Sequence, residues 1–290
     1  MTNSNFEKSN ATALVRIRMV YSELGNNGTK IADYILNDPA KASKSSISAV
    51  ARDLNVADST IYEFARKLGF TGYKEFKNSL LREISETDDH GIAPGINEGD
   101  SAYEIACKVF VSDRVIIQDT RTLIDGKAYE EAAKSMLNAG VVAFFGIGGS
   151  NTTAYVAYHR FLRTPVRCHF DMEYNTQLMT ASLLSPNDCG LVFSHAGSNS
   201  QMIRIAKMIR QRGAKLIVIT GHPLSEVAKQ ADITLLATSK ELLYQSESLV
   251  SRIPTIAVID ALYEIIQNMN PEATKENISK IEEALEEHAK

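Results

Sequence analysis

The spacing of apolar residues changes at one place in this chain, and that change limits the folds open to it. Before Ser85 the apolar residues recur at helical spacing only. After Asp100 helical patterns alternate with short β-rich runs, the order expected of a parallel sheet covered by helices. Residues 85–100 hold five acids, three glycines and one proline but no Lys or Arg, and such a stretch buries too little apolar surface to order itself. The sequence predicts a helical domain at 1–85, a linker at 86–100 and an α/β domain at 101–290.

Charge is distributed unevenly between these segments. The net charge is −4, yet residues 1–85 hold 12 Lys and Arg against 9 Asp and Glu, while the remainder holds 19 against 26. A mildly basic head on an acidic body suits a DNA-contacting module joined to a small-molecule domain. Ordinary scatter produces differences of this size as well, so charge alone does not decide.

Composition excludes several classes of protein. No apolar run approaches the length of a membrane span, and the first ten residues lack the apolar stretch of a secretory signal. Cys107, Cys168 and Cys189 lie far apart in or beside apolar segments, which indicates reduced core residues rather than disulfides or a zinc site. We expect a cytoplasmic protein with no membrane partner, no metal and no cofactor.

Two short helical patterns lie close together in the head. The first repeats apolar residues at Ile47, Val50, Ala51 and Leu54, and the second repeats the same spacing at Ile61, Phe64, Ala65 and Leu68. Asp58 is placed to cap the second helix and Gly69 to end it. Two amphipathic helices joined by a tight turn are typical of a helix-turn-helix, whose second helix enters the major groove.

The outward positions of the second helix are the candidate DNA contacts. Those near its amino end suit base edges, and the two basic ones suit phosphates. A plain helical hairpin with solvated charges gives the same pattern. The candidates are Ser59, Thr60, Tyr62, Glu63, Arg66 and Lys67.

In the body, two strand patterns each run into a loop of small, donor-rich residues that opens a helix. The first loop is Gly148–Thr152 and the second is His195–Ser200. Backbone N–H groups and the dipole at a helix amino end favour an anion, and open α/β sheets bind ligands at the carboxyl ends of their strands. The pattern predicts a phosphate site, although an ordinary turn made of small residues would show the same sequence pattern.

Two enzyme-like readings compete with this one. Gly146, Gly148 and Asn151, with Asp171 after the next strand, resemble a dinucleotide fingerprint, but Asn151 replaces the third glycine. A serine hydrolase is disfavoured because Thr152 stands where the elbow around Ser150 needs glycine. No catalytic residue is expected.

Across about Val15 to Ile265 the chain resembles the RpiR-type regulators, which join an N-terminal helix-turn-helix to a sugar isomerase (SIS) domain. The head carries ISAVA from Ile47, STI from Ser59 and FARKLGFTGYKEFK from Phe64. The motifs of the body begin with FGIGGS at Phe145, SHAG at Ser194, LIVIT at Leu216, AD at Ala231, SESLVSRI at Ser246 and IDALY at Ile259.

The resemblance implies which residues bind ligand. Ser150 and Ser194 would bind a phosphate, and Glu247 matches an acid–base position of related isomerases that would here contact the sugar or serve structure. The full set of expected sugar-phosphate residues is Gly148, Gly149, Ser150, Asn151, Ser194, His195, Ser198, Asn199 and Glu247.

Three positions depart from the family pattern. Ala196 and Asn199 replace the second serine and the threonine of the usual S-x-S-G-x-T loop, although Ser198 and Ser200 offer hydroxyls nearby. Glu63 stands where a basic residue is usual in the head. A carboxylate there repels phosphates but accepts from a cytosine amino group, so it changes the expected operator sequence rather than DNA binding itself.

The sequence as a whole predicts an all-α head and a three-layer α/β/α body around a parallel sheet of about five strands. We expect a non-catalytic regulator of carbohydrate metabolism, a homodimer or homotetramer on double-stranded operator DNA, whose effector is a sugar phosphate. The alternatives are an aldose–ketose isomerase using Glu247, with His195 and His222 as possible partners, and a dinucleotide-binding protein.

Overall fold

The computed structural model describes residues 12–87, 96–238 and 252–286. Contacts within the chain divide it into two compact units, Met1–Leu123 and Ile124–Lys290. This division groups 101–123 with the first unit, whereas the sequence assigned them to the second domain, and the domain boundaries drawn above remain a prediction. Much of the expected linker, at 88–95, lies outside the described residues.

The first unit is helical, as predicted. Its core includes Phe64, Phe70 and Phe76, whose rings meet edge to face with centroids 6.5 Å (Phe64–Phe76) and 5.5 Å (Phe70–Phe76) apart. Its helices are α1 Ala13–Val20, α2 Asn26–Asn37, α3 Pro39–Lys44, α4 Ile47–Leu54, α5 Asp58–Lys67, α6 Tyr73–Thr87 and α7 Ala102–Thr122.

The turn between α4 and α5 is made by a left-handed residue. Asn55 has φ +52°, and the Val56 N–H donates to the Ala51 carbonyl at 2.9 Å, which closes the end of α4. Asparagine tolerates this conformation better than most residues. The two helix-turn-helix elements are therefore separated by three residues only.

The structure corrects one detail of α5 and confirms another. Ala57, not Asp58, is the cap residue, and Asp58 lies in the first turn, where its carboxylate accepts from the Ser48 hydroxyl at 2.5 Å. An acid in the first turn still favours the helix through its dipole. Gly69 ends α5 as predicted, with φ +82°.

The second unit is built around a parallel sheet of five strands in the order β2-β1-β3-β4-β5, as predicted. Its elements are α8 Gly126–Asn138, β1 Val142–Phe145, α9 Gly149–Phe161, β2 Cys168–Phe170, α10 Tyr174–Leu183, β3 Cys189–Phe193, α11 Ser200–Gln211, β4 Lys215–Thr220, β5 Ile233–Leu236, α12 Arg252–Met269 and α13 Pro271–Glu286.

Side chains of the sheet alternate between two cores, which makes the three layers. Phe144 faces the core shared with α8, α9 and α12, while its neighbour Phe145 faces the core shared with α10 and α11. Both rings are 1% exposed. Strands buried on both faces explain why the sequence shows continuous apolar runs here. In the part of the chain that is described, no helix is both long and apolar enough to cross a bilayer.

The three cysteines differ in burial, which corrects the expectation that all are core residues. Cys189 is buried and Cys168 half-buried, and burial raises the pKa of each thiol to about 12, whereas Cys107 is exposed on α7. Thiolates are the reactive form.

The difference in burial predicts how the thiols react with Ellman's reagent. We expect one thiol of the native protein to react rapidly, and Cys107→Ser to remove that rapid reaction. Rapid reaction of two thiols in the native protein would contradict the burial of Cys168 and Cys189.

Candidate functional site

The strand order places two loops side by side at one edge of the second unit. From β1 the chain passes to β2 on one side of it, and from β2 to β3 on the other, so the order reverses between β1 and β3. These two strands pair directly, with Phe145 opposite Val192. The loops after them leave the carboxyl edge at this switch point, which is where open α/β sheets bind ligands.

The first loop makes a tight entry into α9. Gly148 has φ +59° and precedes the helix without a side-chain cap. The N–H groups of Ser150 and Asn151 donate to the carbonyls of Ile147 (3.2 Å) and Gly148 (3.1 Å) within the loop. An anion at this helix start would therefore be met by the Gly149 N–H and the Ser150 hydroxyl.

Asn151 is held by the protein itself. Its Nδ2 donates to the Met172 carbonyl at 2.8 Å, and its Oδ1 accepts from Gln177 Nε2 at 3.4 Å. Gln177, which is 1% exposed, also exchanges two hydrogen bonds with the backbone of Gly146. Gln177 was not predicted from the sequence. The available signal was its place on the buried face of α10, with Tyr174 and Leu178.

A buried serine lies between β3 and the second loop. Ser194 is 6% exposed, and its N–H donates to the Ile219 carbonyl at 3.1 Å. The following carbonyl, of His195, accepts from the Thr220 hydroxyl at 2.8 Å. Gly197 has φ +64°, and a Cβ there would lie 2.0 Å from Ser225 Oγ. The loop is thus tightly positioned.

Asn199 acts as the cap of α11. Its Oδ1 accepts from the N–H groups of Gln201 (2.9 Å) and Met202 (3.1 Å). The departure from threonine at this position therefore has a local structural use. Ser198, which precedes it, is exposed.

Two histidines meet at the start of the second loop. The rings of His195 and His222 have centroids 5.7 Å apart in an edge-to-face arrangement. The backbone N–H of His222 donates to Thr220 Oγ1 at 3.1 Å. The Thr220 hydroxyl therefore bonds the backbone of both histidines. Thr220 was not predicted from the sequence, where its signal was a hydroxyl at the end of an apolar strand.

Two of the other candidates have different outcomes. The Asp171 carboxylate, considered for a ribose, accepts from the Thr180 hydroxyl at 2.5 Å and lies 2.9 Å from His169 Nε2. Glu247 lies outside the described residues. Among residues 12–87, 96–238 and 252–286, no three His, Cys, Asp or Glu side chains are arranged to hold a metal ion.

The DNA-contact candidates share the outer side of α5. Thr60 is half-buried and the other five are exposed. The Arg66 guanidinium donates to the Phe70 carbonyl at 3.4 Å and the Lys67 ammonium to the Glu23 carbonyl at 3.2 Å. Tyr62 donates to the Thr71 carbonyl at 3.5 Å. These contacts anchor long side chains on the head surface.

Known proteins match both parts of the chain. Residues 11–87 match the helix-turn-helix domain of the rpiR family, and residues 135–265 match the SIS domain. An uncharacterised HTH-type transcriptional regulator of Clostridium perfringens is 30% identical over 250 residues, which cover 86% of this chain and 90% of that protein. The chain belongs to the RpiR-type transcription regulators. The HTH-type transcriptional regulator HexR of Escherichia coli is 29% identical over 276 residues, 94% of each chain.

The fold of this RpiR-type regulator also matches a solved structure. That structure is the Vibrio vulnificus NanR protein complexed with ManNAc-6P, with a TM-score of 0.59 and 22% identity. The match covers 94% of this chain and 97% of that one. At this identity the likeness establishes the fold alone.

Proposed function

We propose that this regulator controls carbohydrate genes and that a phosphorylated sugar, held between the loops after β1 and β3, modulates its binding to operator DNA. One observation carries the effector site: two loops that open helices, with Ser150 and Ser194, leave adjacent strands at the switch point. Hydroxyl and N–H donors around a helix start suit a dianionic phosphate monoester. The similarity to NanR, complexed with ManNAc-6P, supports this class of ligand.

The operator contacts are assigned to α5. Ser59, Thr60 and Tyr62 would reach base edges, and Arg66 and Lys67 would contact phosphates, with Glu63 tuning the sequence read. One recognition helix reads one half-site, so two heads about 34 Å apart are needed, and we propose a homodimer or homotetramer. Such a regulator acts on the chromosome, in the cytoplasm. Residues 1–85 would form the DNA-binding domain and 101–290 the effector domain, joined by 86–100.

The effector site is tested by thermal unfolding of the purified protein with glucose 6-phosphate, glucosamine 6-phosphate and N-acetylmannosamine 6-phosphate, each beside its unphosphorylated sugar. Ligand at about 100 times its Kd stabilises a folded protein by about 2.7 kcal/mol. For a unit of this size we expect a rise in Tm of about 5 to 10 °C with one phosphate only.

Ser194→Ala should weaken that ligand about ten- to a hundredfold, because a hydrogen bond to a charged group is lost. Ser135→Ala is the matched control, since the Ser135 hydroxyl donates to the Glu131 carbonyl within its own helix. The same ligand should change the affinity for a duplex selected from random DNA. A Tm that no phosphate raises, or equal effects of the two variants, would refute the site.

The close approach of His195 and His222 keeps a second candidate open, an aldose–ketose isomerase. Isomerisation removes the hydrogen beside the carbonyl, which requires a base and an acid at the sugar. We propose that no such reaction occurs, in line with the regulator relatives. Proton NMR of the three sugar phosphates in D2O decides: exchange of that hydrogen, lost in Glu247→Gln, would establish the enzyme.

A further inference from the structure

Gln177 is a polar side chain buried where its helix packs against the sheet. It is 1% exposed, on the face of α10 that also carries Ala181. Its Nε2 donates to the Gly146 carbonyl at 2.9 Å and its Oε1 accepts from the Gly146 N–H at 3.2 Å. The N–H of Gly146 can bond only an acceptor, so the orientation of the amide is fixed. Gln177 thus satisfies both backbone polar groups of Gly146, the residue that directly follows β1.

Gly146 in turn packs against the first turn of α9. A Cβ at Gly146 would lie 2.4 Å from the Ser150 carbonyl oxygen and 2.9 Å from the Asn151 nitrogen. The first turn of α9 therefore lies directly against Gly146, and a shift of either backbone moves the other. Because interiors are close-packed and barely compressible, a displacement of Gly146 displaces the first turn of α9 as well.

A second connection joins the same two segments. Asn151 bonds both Gln177 Nε2 at 3.4 Å and the Met172 carbonyl at 2.8 Å. Gln177 of α10 and Met172 just before that helix therefore hold residues 146–151 at both ends: Gln177 bonds Gly146, and both residues bond Asn151. Ser150 lies between these two points.

We propose that Gln177 is a positioning residue for the effector site: its paired hydrogen bonds to Gly146 fix the loop at 146–151 so that the Gly149 N–H and the Ser150 hydroxyl meet the phosphate. It does not touch the ligand. The expected effect on phosphate binding rests on the proposed function. The effect of Gln177 on the loop itself does not, because it can be measured in the ligand-free protein.

The test compares Gln177→Leu, Gln177→Glu and a matched control, Thr164→Val. Thr164 is equally buried, at 1% exposed, and its hydroxyl also makes two bonds to backbone, to Phe161 and Val166. We expect Gln177→Leu to bind the sugar phosphate of the thermal panel, and inorganic phosphate, about tenfold or more weakly. Thr164→Val should lower Tm without weakening either ligand.

Gln177→Glu adds a second readout, the pH dependence of ligand affinity, which a general loss of stability would not produce. The protonated carboxyl has the shape of the amide and can both donate to the Gly146 carbonyl and accept from its N–H, whereas the carboxylate can only accept. The affinity of Gln177→Glu relative to the wild type should rise toward one as pH falls from 8.5 to 5.5. The charged and titratable groups nearby, which include His169, Asp171, Glu173 and the phosphate itself, are the same in both proteins, so the ratio removes their effect.

Hydrogen exchange of the ligand-free proteins separates the two hypotheses. We expect exchange at 146–151 to be about tenfold faster in Gln177→Leu, with 194–199 unchanged and with Thr164→Val like the wild type. If the wild type binds no phosphate, the proposed function fails while exchange still tests Gln177. Unchanged exchange in Gln177→Leu, unchanged affinity, or a Gln177→Glu ratio that is flat with pH would each overturn the positioning role.

Discussion

Gly146→Ala should weaken effector binding strongly while leaving the protein folded. The added Cβ would lie 2.4 Å from the Ser150 carbonyl oxygen and 2.6 Å from its carbon, and both atoms belong to backbone that cannot rotate away. Overpacking of this kind costs about 1 to 3 kcal/mol, and the strain is released by moving the start of α9. We expect affinity for the sugar phosphate to fall at least about tenfold.

The matched control is Gly126→Ala. Gly126 opens α8, and no atom lies within 4 Å of a Cβ built there. Alanine in an unstrained helical position is neutral or stabilising by up to about 1 kcal/mol. Calorimetric titration and thermal unfolding of both variants give the comparison. A Gly146→Ala protein that binds like Gly126→Ala would show that the first loop does not hold the effector.

Phe64→Ala should remove operator binding without removing effector binding. Phe64 is 5% exposed and packs edge to face on Phe76. Truncation of a buried phenylalanine costs about 3 to 5 kcal/mol, a large part of the stability of a small helical unit. Because Phe64 lies on α5, the surface that carries the DNA contacts is lost with the packing.

Fluorescence anisotropy with the duplex selected from random DNA measures operator binding. The ligand-induced rise in Tm of the second unit measures effector binding. Leu81→Ala is the control, since Leu81 is 39% exposed on α6 and its truncation leaves the core intact. Operator binding by Phe64→Ala at wild-type affinity would contradict the role of α5. Loss of the effector response in the same variant would contradict our expectation that the effector site lies wholly in the second unit and does not need a folded head.

Local patterns explain why so much of the fold was predictable. Helices α4 and α5 of the head repeat apolar residues at the same helical spacing, and Gly69 has the positive φ that ends α5. The strands of the body are buried on both faces, so their apolar runs stand out in the sequence. Each of these signals lies within about ten residues, where sequence spacing determines which side chains share a face.

What the sequence did not predict depends on distant partners. Gln177 and Gly146 are 31 residues apart, and Thr220 and His195 are 25 apart, so neither pair leaves a local pattern. Cys107 lies on a helix with apolar residues on several sides, and the sequence alone does not say which side is covered. Its exposure follows from tertiary packing.

The hydrogen bonds around the first loop have a consequence for the kinetics of recognition. They form when the chain folds, so the conformational entropy of the loop is already lost before an effector arrives. Association with a preorganised site needs no slow rearrangement, and differences in affinity among sugars should then appear mainly in their dissociation rates. A regulator built this way would report a falling sugar-phosphate concentration as quickly as its effector leaves.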